Sequence, residues 1–154
     1  MSAIDVYRDE QITVAQQTIY QVSDTFMLPV EERWSSRTGN IRSEIHFVHR
    51  WTGVFRLECT RSLAMSLTSL MLSLDAGELS EEDIADVMGE ILNTIAGNLK
   101  CLLPGETDLS VPVTSIVSGP EDCGCDRTVG CTEQSDIVLE GDLGMLRLSL
   151  MHCN

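Results

Sequence analysis

Apolar residues recur at spacings of three and four between positions 7 and 26, where Ile12, Ala15, Ile19, Val22 and Phe26 line one face of a helix. Pro29 ends it, because proline cannot donate to the helical ladder. The period then falls to two. Strands are expected at residues 30–35, 41–48 and 54–59; in the last, Phe55, Leu57 and Cys59 point one way and Arg56 and Glu58 the other. Thr38-Gly39-Asn40 and Trp51-Thr52-Gly53 supply the turns between them.

A second helix is expected over residues 61–74, apolar around most of its circumference and so buried on more than one side. Its leucines and methionines read as core packing. Asp75-Ala76-Gly77 stops it. A third helix runs over 80–102: Ser80 with Asp83 forms a capping box, and Glu81, Glu82 and Asp83 suit the positive end of the helix dipole. Pro104-Gly105 closes it. Strands return at 109–117, 136–140 and 145–151, the last two joined by Gly141-Asp142-Leu143-Gly144, a hairpin signal. Between them, residues 119–134 form a loop of low hydrophobicity that carries three cysteines. The order α-β-β-β-α-α-β-β-β, with short connections suited to antiparallel pairing, predicts one α+β domain over residues 1–154, a sheet with long helices packed on it.

At 154 residues the chain buries roughly two thirds of its unfolded surface, so it needs neither disulfide nor metal to fold. The net charge of −14 argues against nucleic acid or an anionic membrane as partner, since both require a cationic footprint. Sixteen acids against three bases fall in residues 75–154, whereas residues 30–61 hold six arginines and four acids. Such asymmetry can steer a charged partner, but the plain reading is a solvated surface. Acids occupy the start, where a signal peptide needs a basic region and an apolar core. The longest apolar stretch, 63–74, is shorter than the ~20 residues of a membrane span. A cytoplasmic protein with six reduced cysteines is therefore expected.

On a helical wheel Ile84, Val87, Met88, Ile91, Ile95, Leu99 and Leu102 gather on one side of the third helix. Asp86, Glu90, Asn93 and Gly97 fall opposite, within an arc of roughly 60°. A mid-helix glycine costs ~1 kcal/mol relative to alanine, so Gly97 asks for a reason, and close approach by another backbone is one. Gly89 poses the same question less sharply. From the wheel alone, a solvated helix face is the plainer reading of the acids.

The run Asp86-Val-Met-Gly-Glu90-Ile-Leu-Asn93-Thr-Ile-Ala-Gly97-Asn98-Leu-Lys100 resembles the signature of the CheC/CheX/FliY phosphatases of bacterial chemotaxis: an acidic or serine residue, then Glu, then Asn on one helix, followed by Gly-Asn. Phe55-Arg-Leu-Glu-Cys-Thr-Arg-Ser-Leu-Ala-Met is similar to the family's strand leading into the preceding helix, whose end Met71-Leu72 resembles; Pro112 and Gly119 resemble its later Pro and Gly. The likeness spans residues 42–119 and is closest to CheX. The first helix, with Gln16-Gln17-Thr18-Ile19-Tyr20, has no Glu-x-x-Asn, which implies one site per chain. Pro112 stands nearer Asn93 than the family pattern would put it, implying a shortened loop, and the cysteine loop at about 119–134 has no family counterpart.

The resemblance implies hydrolysis of the aspartyl phosphate of a CheY-like response-regulator receiver domain. Asn93 would orient the attacking water and Glu90 would pair with the regulator's lysine; Asp86 and Gly97 would contact the partner. No cofactor of its own is implied, since Mg²⁺ belongs to the receiver, and a homodimer is expected. The alternative within the same fold is an adaptor that binds a receiver without catalysis. A metal or redox module on Cys123, Cys125 and Cys131, with or without His152 and Cys153, is less favoured, because structural zinc sites pair Cys-x₂₋₄-Cys elements. His46 and His49 read as surface or satisfied residues, and no Ser/His/Asp order, P-loop or dinucleotide glycine motif is present.

Overall fold

A computed structural model describes residues 3–31, 34, 41–49, 51–103, 107–116 and 130–153 of the chain. The alternating segments pair into one antiparallel sheet of seven strands: β1 (Leu28–Val30), β2 (Ile41–His49), β3 (Gly53–Cys59), β4 (Thr107–Leu109), β5 (Val113–Ile116), β6 (Cys131–Gly141) and β7 (Gly144–Cys153). Their spatial order is β1-β6-β7-β3-β2-β4, with β5 also paired to β2, so β4 and β5 together form one edge. Three helices, α1 (Ala3–Ser23), α2 (Arg61–Leu72) and α3 (Glu81–Lys100), pack against one face. The expected α+β fold is observed.

The period-two pattern decides which face meets the helices. Ile41, Ile45, Phe47, Phe55, Leu57, Cys59, Leu146, Leu148 and Leu150 are buried against Ile19, Leu63, Leu67, Ile91, Leu92 and Ile95. Burial in this core pushes the Cys59 thiol far up, with the neighbouring Glu58 charge adding to it. The other face carries a ladder of charge. Glu58, 2% exposed, has Arg42 at 3.6 Å and Arg147 at 3.9 Å; Arg147 also pairs with Asp136 at 2.7 Å, and Arg56 with Glu44 at 2.8 Å. Arg61 at the start of α2 bonds Glu81. Arg42, Arg56 and Arg61 of the arginine-rich stretch are thus engaged within the fold, which leaves them less to offer a partner.

Several expectations are corrected. The first helix ends at Ser23 rather than 26, because Asp24 takes φ 57° and turns the chain. Phe26, expected on the buried stripe, is 58% exposed, and Met27 enters the core instead. The strand expected at 30–35 is Leu28–Val30; residues 32, 33 and 35 lie outside the described residues. α2 buries only one face: Leu63, Ala64, Leu67 and Thr68 are buried, while Leu70, Met71 and Leu72 are exposed. The strand expected at 109–117 divides at Pro112 into β4 and β5, because proline has no N–H for the ladder. The cysteine loop expected to last until 134 gives way to β6 at Cys131, and residues 117–129 lie outside the described residues.

Nor are all cysteines reduced. Cys131 and Cys153 stand directly opposite in the β6–β7 register, their Cα atoms 4.1 Å apart, and form a disulfide. Spacing in the sequence could not show this, because the hairpin register brings together residues 22 apart. Of the other described cysteines, Cys59 is buried and Cys101 exposed. No described helix is long and apolar enough to cross a membrane.

Candidate functional site

The third helix forms because its start is fully capped. Ser80 Oγ accepts the Asp83 N–H at 3.1 Å, and Asp83 Oδ2 accepts the Ser80 N–H at 3.0 Å. Glu81, Glu82 and Asp83 occupy the first turn and Lys100 the last, both favourable to the helix dipole. Ile84, Val87, Met88, Ile91, Leu92, Ile95, Ala96 and Leu99 are buried. That stripe fixes the rotation of the helix, and so fixes what it shows to solvent.

Asp86, Glu90, Asn93 and Gly97 are all exposed, on one side of α3. Glu90 and Asn93 are about 4.5 Å apart along the axis. Among the described residues, none hydrogen-bonds or ion-pairs with the side chains of Asp86, Glu90 or Asn93. Neighbouring polar groups behave otherwise. Thr94 Oγ1 donates to the Glu90 carbonyl at 3.0 Å, Asn98 Nδ2 to the Thr94 carbonyl at 2.9 Å, and Cys101 Sγ to the Asn98 carbonyl at 3.2 Å. The carboxylate of Glu90 and the carboxamide of Asn93 are thus held ready on a rigid helix with their full bonding capacity unspent.

The two helix glycines differ. A Cβ on Gly89 would lie 3.4 Å from Pro112 Cγ and 3.5 Å from Thr114 Oγ1, so Gly89 is where the edge strand meets the helix. A Cβ on Gly97 would meet nothing within 4 Å. No packing among the described residues explains Gly97; it leaves a bare stretch of backbone one turn beyond Asn93. The Gly89–Pro112 contact was not legible in the sequence, although both residues stood out there, because contact between a helix and an edge strand has no local signature.

The sites set aside stay apart from this row. His49 Nε2 lies 2.9 Å from Asp108 Oδ2, and His152 stacks on Trp51 with ring centroids 5.1 Å apart. Cys131 and Cys153 are joined to each other, which removes them from any thiolate ligand set with His152. Cys123 and Cys125 lie outside the described residues.

Comparison with known proteins bears on the whole domain. A family model described as chemotaxis phosphatase CheX matches residues 41–121, which include α3 and its exposed row. The CheX structure from Vibrio vulnificus is similar at 16% identity over 94% of each chain, with a TM-score of 0.73. A complex of CheX with CheY, BeF₃ and Mg²⁺ from Borrelia burgdorferi is similar at 14% identity over 96% of this chain and 98% of that one, with a TM-score of 0.70. The FliY structure from Thermotoga maritima follows at 14% identity, 97% and 88% coverage and a TM-score of 0.61. No curated protein sequence matches the chain. With more than half of its residues matched by that family model and its fold shared over 94% of its length with a CheX structure, the chain belongs to the CheX family of chemotaxis phosphatases.

Proposed function

We propose that this chain hydrolyses the aspartyl phosphate of a CheY-like receiver domain, with Asn93 orienting the attacking water and Glu90 fixing the partner. The observation that carries the reading is the exposed, unengaged Glu90–Asn93 pair on α3. Family membership and the CheX–CheY complex among similar structures support it.

Phosphoryl transfer to water asks little covalent chemistry of a protein; positioning and charge stabilisation dominate. The receiver brings the phosphoryl group, and Mg²⁺ is bound there rather than on this chain. What remains is to hold a water in line with the bond that breaks. A carboxamide suits that task, since its oxygen accepts a hydrogen bond from the water while its NH₂ group donates to an oxygen nearby. Glu90, one turn earlier on the same side, offers a carboxylate to a lysine ammonium on the receiver. Asp86 adds negative charge at the start of the row, and Gly97 admits the partner's backbone at its end. Such a partner places the chain in the cytoplasm, where receiver domains work.

The test is phosphate release from receiver domains charged with a small-molecule phosphodonor. Asn93→Ala is expected to slow the chemical step by about 100-fold or more while receiver binding is kept. Glu90→Ala is expected to weaken binding by about tenfold, the cost of truncating one partner of a charged pair. Turnover near wild type in Asn93→Ala would remove that residue from its role. A stable complex without accelerated phosphate loss would favour the adaptor.

A further inference from the structure

The row on α3 has one more member. At 100° per residue, Lys100 falls with Asp86, Glu90, Asn93 and Gly97 inside an arc of roughly 80°. It closes the helix, is the only lysine of the chain, and is the only base on α3 beside five acids. Its side chain is 44% exposed. From one end to the other the row thus presents two carboxylates, a carboxamide, bare backbone at Gly97 and then an ammonium.

Lys100 is held loosely. Among the described residues its ion-pair partner is Asp108, at 3.9 Å, and that carboxylate is itself 66% exposed. Asp108 turns its other oxygen to His49 Nε2 at a closer 2.9 Å. Arg56 and Arg147, by contrast, hold Glu44 and Asp136 at 2.8 and 2.7 Å. An exposed pair as long as that of Lys100 contributes little, so the side chain can leave it at little cost. Long side chains on a helix lean over the turn before them, and for Lys100 that turn holds Gly97. Nothing lies within 4 Å of where a Cβ on Gly97 would stand, so the way back along the row is open among the described residues.

The partner proposed above is anionic where it meets this row. Its phosphoryl group is negative, and the Mg²⁺ beside it needs oxygen ligands, carboxylates among them. Asp86 and Glu90 would meet such a pocket with like charge; a cation in the same row offsets it. Reach decides which anion Lys100 touches. It stands about 10.5 Å beyond Asn93 along the axis, and its stem leans back by about one turn, 5.4 Å. The ammonium therefore stops about 5 Å short of the level of Asn93, beside the pocket rather than on the phosphoryl group. We propose that Lys100 is a further partner-binding residue, its ammonium leaving Asp108 to pair with a carboxylate at the rim of the receiver's metal pocket. The inference rests on the phosphatase reading above. With Glu90 meeting a cation and Lys100 an anion about 15 Å farther along α3, the receiver docks in one orientation.

The test measures KM and kcat of the whole chain on the receiver whose phosphate loss it accelerates. Lys100→Gln is expected to raise KM about fivefold with kcat within about twofold, and Lys100→Glu to raise it further; Lys100→Arg keeps wild-type KM. Asp108→Asn separates docking from a role inside the fold. It frees the ammonium without removing it, so KM should not rise. A KM raised in Asp108→Asn as much as in Lys100→Gln would mean that the internal pair is what matters, and overturns the proposal. So does an unchanged KM in Lys100→Glu, even with a lower melting temperature, which would leave Lys100 to the helix dipole alone. Failure of the phosphatase reading is distinct: the wild type then accelerates no receiver. Binding to a receiver loaded with beryllium fluoride and Mg²⁺ decides in that case, weaker binding by Lys100→Glu supporting the proposal and equal binding overturning it.

Discussion

Gly97 separates stability from function most cleanly. A Cβ added there meets nothing within 4 Å, and alanine is the better helix former by about 1 kcal/mol. Gly97→Ala is therefore expected to raise the melting temperature by about 2–4 °C for a domain of this size. If the partner's backbone lies against α3 at this point, the same methyl raises KM for the phosphorylated receiver. A higher melting temperature with unchanged KM would leave Gly97 without a part in docking. Glu90 and Asn93 were legible as a pair because a wheel shows which residues share a side. That neither side chain is engaged was not legible, since Thr94 and Asn98 beside them are equally polar yet bond to the helix itself.

At the scale of elements, local chemistry wrote some boundaries plainly and others not at all. The start of α3 was legible because Ser80 and Asp83 satisfy each other within one turn. The Gly141–Gly144 hairpin was legible for the same local reason. The end of α1, the single buried face of α2 and the split of the edge strand were misread, since periodicity says which residues share a face and not how many faces are covered. The hairpin turn also does work its sequence does not reveal, by seating α2. Gly144 has φ 148°, and a Cβ there would stand 2.3 Å from Thr60 Oγ1 and 3.0 Å from Leu63 Cβ. Thr60 Oγ1 accepts the Met145 N–H at 3.2 Å, and the Thr60 N–H donates to the Met145 carbonyl at 3.0 Å, so the turn grips the start of α2. Gly144→Ala is expected to cost about 2 kcal/mol or more through strain and clash. Thermal unfolding that matched the wild type would show that the grip yields without cost.

Across the whole molecule, the candidate site and the disulfide lie over different parts of one sheet. α3 packs over β2 and the β4–β5 edge, whereas Cys131 and Cys153 join β6 to β7, with β3 between β7 and β2. The bond closes a loop of 22 residues, which by chain entropy restricts the unfolded chain by about 3 kcal/mol. Cys131→Ser, or reductant on the wild type, is therefore expected to lower the melting temperature by roughly 6–12 °C. The row on α3 depends on other contacts: the buried stripe of the helix, its capping box, and the meeting of Gly89 with Pro112. Reduction should thus leave phosphate release from the receiver unchanged at temperatures where the protein stays folded. The two readouts together decide what the bond is for. A lower melting temperature with constant turnover makes it a staple between the last two strands. Turnover that followed the redox state would mean that the far side of the sheet communicates with α3, a coupling that no contact described above would carry.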